Sequence, residues 1–139
     1  MSAIEPNPVQ SAALMAAAAD NNDPVVMINL LKFNENDGAA TYQQYAEAVQ
    51  PHLDAVDATV LYAGDASHVV AGDIDKAWWD AIVVVRYPSR AAFVTMVTSQ
   101  DYQQKAHPYR AAALESTPAP QFTVRFGHLK TCSATRSPH

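Results

Sequence analysis

In this 139-residue chain the side chains whose types and settings could hold a small molecule are an asparagine, a few arginines and several aromatic rings. Asn29 interrupts the apolar run VVMINLLKF on the side shared by Met27, Leu31 and Phe33. A buried amide without partners costs roughly 1–3 kcal/mol, so either a neighbouring helix or loop satisfies it or it faces a ligand. Lys32, at the end of the run, reads as a snorkelling side chain rather than a base. In WWDAIVVVRY, Asp80 and Arg86 alternate onto one face with Ile82 and Val84, whereas Trp79, Val83, Val85 and Tyr87 share the other. Asp80 and Arg86 lie about 20 Å apart along an extended strand and cannot pair with each other. Arg86 beside a core face requires a carboxylate, from the protein or from a substrate. Tyr62, Trp79 and Tyr87 are candidates to line an aromatic pocket, or are simply core. Ser89 reads as an ordinary helix N-cap, and Arg110 is a further polar contact for a ligand.

Acid–base chemistry is thinly provided. Of the histidines, His68, expected on a strand, and His107, expected at a helix end, adjoin apolar segments and are the weak catalytic candidates. No HxH, HExxH or Cys/His spacing organises a metal, and no P-loop, GxGxxG or GxSxG motif is present, so neither metal nor cofactor is expected.

Fourteen acidic residues against nine basic ones give a net charge of -5, and Lys and Arg form no patch, which argues against nucleic acid as a partner. The single cysteine, Cys132, allows no intrachain disulfide and fits a reducing, cytoplasmic setting. No basic n-region opens the chain and no apolar stretch approaches the roughly 20 residues that cross a bilayer, so no membrane association is expected.

The elements that must position these residues follow from periodicity and punctuation. Residues 8–19 are Ala-rich and helical, closed by DNNDP. Residues 25–33 read as a central strand buried on both faces. Thr41 and Gln44 have capping-box spacing before a helix with Tyr42, Tyr45, Val49 and Leu53 on one face, and Pro51 predicts a bend or an end near Gln50. Residues 58–63 and 67–71 read as one strand interrupted at Gly64 and Asp65, pairing antiparallel with residues 79–87. Ser89 and Ser99 cap helical segments, Pro108 starts another, and residues 121–129 form a last strand before a disordered tail at 130–139. After an N-terminal helical extension at 1–23, the order β-α-β-β-α-β across 24–129 predicts an α+β, ferredoxin-like domain with a four-stranded antiparallel sheet. With 49% hydrophobic and only 17% charged residues, and strands apolar on both sides, the face without helices predicts a homodimer.

The strings VVMINLLKF, LYAGDASHVVAG, WWDAIVVVRYPSRAAF and DYQQKAHPYRAAALE resemble the signature segments of the domain of unknown function 1330 family over residues 24–118. The resemblance implies a dimeric α/β barrel and a relation to cofactor-free monooxygenases and small isomerases. The N-terminal helix, the FTVRFGHLK strand and the two residues between His107 and Arg110 depart from the family pattern. The expectation is a small-molecule site between sheet and helices, with Asn29, Tyr62, Arg86 and Arg110 contacting an acidic or carbonyl compound. Its chemistry would be oxygenation or isomerisation, the competing reading being a non-catalytic binding or interaction module.

Overall fold

The structure, a computed structural model, describes residues 7–20, 22–72, 79–115 and 123–126. Helix α1 (Pro8–Asp20) precedes β1 (Val25–Leu31), α2 (Gly38–Ala55), β2 (Thr59–Asp65) and β3 (Ala81–Tyr87). Helices α3 (Arg90–Thr98), α4 (Gln100–Lys105) and α5 (His107–Ala113) follow, then β4 (Thr123–Phe126). The strands lie in the order β2-β3-β1-β4 with every neighbouring pair antiparallel. The expected α+β class with an antiparallel sheet is thus what the chain adopts. No described helix is long and apolar enough to cross a membrane.

One face of the sheet makes the core. Val25, Met27 and Leu31 of β1 and Ala81, Val85 and Tyr87 of β3 are buried there, against Tyr45, Val49 and Leu53 of α2 and Phe93 and Met96 of α3. Each such aliphatic or aromatic side chain contributes about 1.5–3 kcal/mol by leaving water. On the other face Val26, Ile28, Leu30, Ile82 and Val84 are only half-buried and Arg86 is exposed. The strands expected to be buried on both faces are therefore fully covered on one in the protomer. Helix α1 packs on α3 and brings Leu14 to the core margin.

Several boundaries differ from expectation. Helix α2 begins at Gly38, not Thr41, and its Thr41 amide already bonds the Asp37 carbonyl, so the Thr41/Gln44 spacing caps nothing. Asp37 precedes it in the left-handed region at φ 62°, and a Cβ on Gly38 would come within 2.6 Å of the Ala113 carbonyl oxygen. The helix also runs through Pro51 to Ala55. Val49 and Leu53, on either side of the proline, are both buried, and that packing outweighs the lost backbone bond.

Strand β2 keeps Gly64 and Asp65 and carries its register shift between Val60 and Tyr62; residues 66–72 are exposed and do not resume the strand. Strand β1 stops at Leu31 and β3 starts at Ala81, with Phe33 forming an isolated bridge to Leu114. Ser89 and Ser99 do cap α3 and α4, accepting from the amides of Ala92 and Tyr102 at 3.0 and 3.1 Å. The tail at 130–139 and most of the 121–129 segment lie outside the described residues.

Candidate functional site

A cavity of about 500 Å³ lies between the helices and the covered sheet face, within the range of small-molecule sites. Its polar centre is Arg110, delivered by α5 and only 7% exposed. The C-terminal end of α5 is tied to the residues after β1. The Asn34 amide donates to the Ala113 carbonyl at 2.8 Å, the Glu115 amide to the Lys32 carbonyl at 2.8 Å, and the Asn34 Nδ2 to the Ala112 carbonyl at 2.6 Å.

Asn29 orients the guanidinium. Its Nδ2 donates to the Val83 carbonyl at 3.1 Å, which turns Oδ1 to accept from Arg110 Nη2 at 3.3 Å. The guanidinium carbon lies 6.0 Å from the centroid of the Tyr45 ring, a cation–π distance. The Tyr45 and Tyr102 hydroxyls are 3.1 Å apart, and the Tyr42 and Tyr45 ring centroids 5.2 Å.

Burial pushes the Tyr42 phenol up to about 12, with Arg110 pulling partly the other way. Burial, reinforced by Tyr102, holds Tyr45 well above its ordinary value, and burial likewise raises Tyr87. These phenols are therefore neutral donors near neutral pH. For Arg110, burial favours the neutral form, but the oxygens of Tyr45, Tyr42, Tyr102 and Tyr87 more than offset it, so its affinity for the proton rises. The centre of the cavity thus presents a fixed cation flanked by hydroxyl donors to a space otherwise walled mainly by hydrocarbon.

Residues 28–118 match the family described as domain of unknown function (DUF1330). The chain belongs to the DUF1330 family. A protein of unknown function from Rhodopseudomonas palustris, RPA0582, is 27% identical and superposes with a TM-score of 0.69 over 91% of this chain and 98% of its own. Its methylated form gives 27% identity and a TM-score of 0.70, over 92% and 96% of the two chains. A Bacteroides fragilis NCTC 9343 protein described as dimeric, of unknown function and with a ferredoxin-like fold, is 13% identical over 76% of this chain and 96% of its own, with a TM-score of 0.50. No curated protein matches.

Within this DUF1330 domain the expected site residues divide. Asn29, Tyr87 and Arg110 line the cavity together. Arg86 does not: it is exposed on the opposite sheet face, so the premise that it must find a buried carboxylate is corrected. Tyr62 is 57% exposed and registers with Val84 of that same opposite face. Trp79 is half-buried just ahead of β3 and Asp80 beside it; neither lines the cavity. Asp80 instead accepts from the Phe33 amide at 2.9 Å and faces Lys32 Nζ at 3.5 Å, fastening the ends of β1 and β3.

The two candidate histidines, His68 and His107, stand away from the cavity wall. His68 is in the exposed segment after β2, not on a strand, with Nδ1 3.2 Å from the Ser67 hydroxyl. His107 opens α5, half-buried, its ring centroid 6.4 Å from that of Tyr102. Tyr42, Tyr45 and Tyr102 also line the cavity; Tyr42 and Tyr45 were visible in sequence only as members of an apolar helix face. Among the described residues no cluster of His, Cys, Asp or Glu is arranged to hold a metal ion.

Proposed function

We propose that this DUF1330 protein binds a small organic acid or carbonyl compound in the cavity between sheet and helices, with Arg110 as the receptor for the oxygen-bearing group. One observation carries the reading: a charged guanidinium, nearly buried, lines an apolar cavity while Asn29 fixes its direction. A carboxylate or enolate entering such a site exchanges water for charge-assisted bonds to a fork already in place. Asn29 and Tyr87 join the site; Tyr62, Trp79, Asp80 and Arg86 serve elsewhere.

The test is calorimetric titration of the full chain with simple carboxylates, beside Asn29→Asp. That substitution keeps the shape of the side chain but sets a carboxylate against Arg110, and it abolishes binding while the chain stays folded. Undiminished binding by the variant would remove Arg110 from the site.

A second reading, turnover by cofactor-free isomerisation or oxygenation, adds the Tyr42 hydroxyl to Arg110. The Arg110 guanidinium and the Tyr42 hydroxyl stabilise an enolate oxygen as it forms. None of His52, His68 and His107 lines the cavity, and its carboxylate, Asp65, is exposed at the end of β2 one row away from Asn29, which favours binding over proton abstraction as the primary function. Exchange of α-deuterium from a bound keto acid, measured by proton magnetic resonance, separates the two.

We further propose that the protein is a homodimer closed through the sheet face opposite the helices. Tyr62, paired with Val84, is 57% exposed in the protomer, and Ile82 and Val84 on the same face are half-buried. A face so apolar is a contact surface in most soluble proteins, and the Bacteroides fragilis protein of the same fold is described as dimeric.

A further inference from the structure

The antiparallel register sorts the cavity along its length. Across β1, β3 and β2 the residues on the helix side form rows: Leu31 with Ala81 and Asp65, then Asn29 with Val83 and Ala63, then Met27 with Val85 and Val60, then Val25 with Tyr87. Successive rows are two residues apart, about 7 Å. Helix α2 lies along the same axis, contributing Tyr42 and Tyr45 near the asparagine row and Val49 and Leu53 beyond it.

The buried cation and most of the hydroxyls gather in one part of this trough, with exposed Asp65 in the row before it. Arg110 meets Asn29 in the second row, and its electrostatic partners Tyr42, Tyr45 and Tyr102 gather around it. The stretch past it is walled mainly by Val85 and Val60 from the sheet, Val49 and Leu53 from α2, and Met96 and Val97 from α3, with Gln50 and the Tyr87 phenol as its polar members. The trough is therefore a cation followed by a mainly apolar channel roughly two rows, or about 14 Å, long, with Tyr87 in its far row.

From this arrangement we infer that the ligand is an amphipathic monocarboxylic acid, its carboxylate on Arg110 and an extended apolar tail lying along Val85, Val49 and Val60 toward α3. The inference rests on the anion site proposed above and adds the class of acid that fills it. A short polar acid would leave the channel wet. A dicarboxylate would bury its second charge against aliphatic side chains, at a cost that excludes it. Val60 lies on the edge strand in the row next to that of Asn29 and is 41% exposed, so this part of the channel is reached from solvent without disturbing the core.

The experiment is calorimetric titration of the full chain with the straight-chain series from acetate to decanoate, and with adipate as the dicarboxylate. Affinity rises about fourfold for each added methylene until the channel is filled and then levels off, the increment expected for burying one such group. Adipate binds no better than acetate. Val60→Trp, a change at an exposed edge position, reduces octanoate to the affinity of butyrate and leaves butyrate unchanged. Equal affinity across the series overturns the channel while leaving the anion site standing. Equal weakening of butyrate and octanoate in Val60→Trp, or no weakening of either, likewise overturns the tail placement. Failure of every carboxylate to bind overturns both the channel and the anion site.

Discussion

The hydroxyls of Tyr45 and Tyr102 lie 3.1 Å apart, both side chains buried where α2 meets α4. Either oxygen can donate, so the pair satisfies two buried groups with one bond. Replacing Tyr102 with Phe strands the Tyr45 hydroxyl away from water and costs about 1–3 kcal/mol. The double replacement of Tyr45 and Tyr102 by Phe costs less than the sum of the single ones, because no stranded oxygen remains. Urea unfolding of the four proteins measures the coupling; strictly additive losses would show that the contact contributes nothing.

Alkaline pH should loosen the fold in a defined window. The Tyr42 phenol keeps its proton up to about 12 in the folded chain, against an ordinary value of 10.0, and Tyr45 and Tyr87 are raised too. Between those limits the folded form binds more protons than the unfolded one, so stability falls as pH rises. The stabilisation is whole below about pH 10 and is lost as pH climbs through 12 and beyond. Urea midpoints across this range should fall steeply, and Tyr42→Phe should flatten the fall.

Gly38 is fixed by its surroundings rather than by its backbone angles. A methyl group there would meet the Ala113 carbonyl oxygen at 2.6 Å and Phe33 backbone and Cβ atoms at 3.0 Å, none of which belongs to a flexible side-chain end. Gly38→Ala therefore destabilises by about 1–3 kcal/mol, as overpacking does, although alanine is the better helix former. A rise in melting temperature would contradict this.

The proposed dimer predicts that Tyr62→Lys, altering a side chain 57% exposed in the protomer, leaves the helical circular dichroism intact. Sedimentation equilibrium should then report a monomer where the parent chain is a dimer. A parent chain that is already monomeric removes the interface.

Local chemistry was legible in the sequence. Ser89 and Ser99 cap helices because a hydroxyl three residues ahead of a free amide needs nothing distant. Asn29 was legible as a residue requiring partners: it is hydrogen-bonded to Val83 and Arg110, and it lines the cavity. Arg86 was misread because Ile82 and Val84 on one face are as apolar as Val83 and Val85 on the other. A period of two sorts residues into faces but does not say which face the helices will cover. Of the bend or end expected near Gln50, the end does not occur, because a local rule met tertiary packing and lost. Tyr42 and Tyr45 counted only toward an apolar helix stripe; that their oxygens surround a guanidinium from α5 is decided by the packing of α2 on α5.

The stitches between α5 and the end of β1 hold the guanidinium as a fixed post and not a swinging arm. Its desolvation and the freezing of its side chain have been met during folding, so a visiting acid has little left to reorganise. Capture should then proceed in a single kinetic phase, at a rate set by entry past the edge strand.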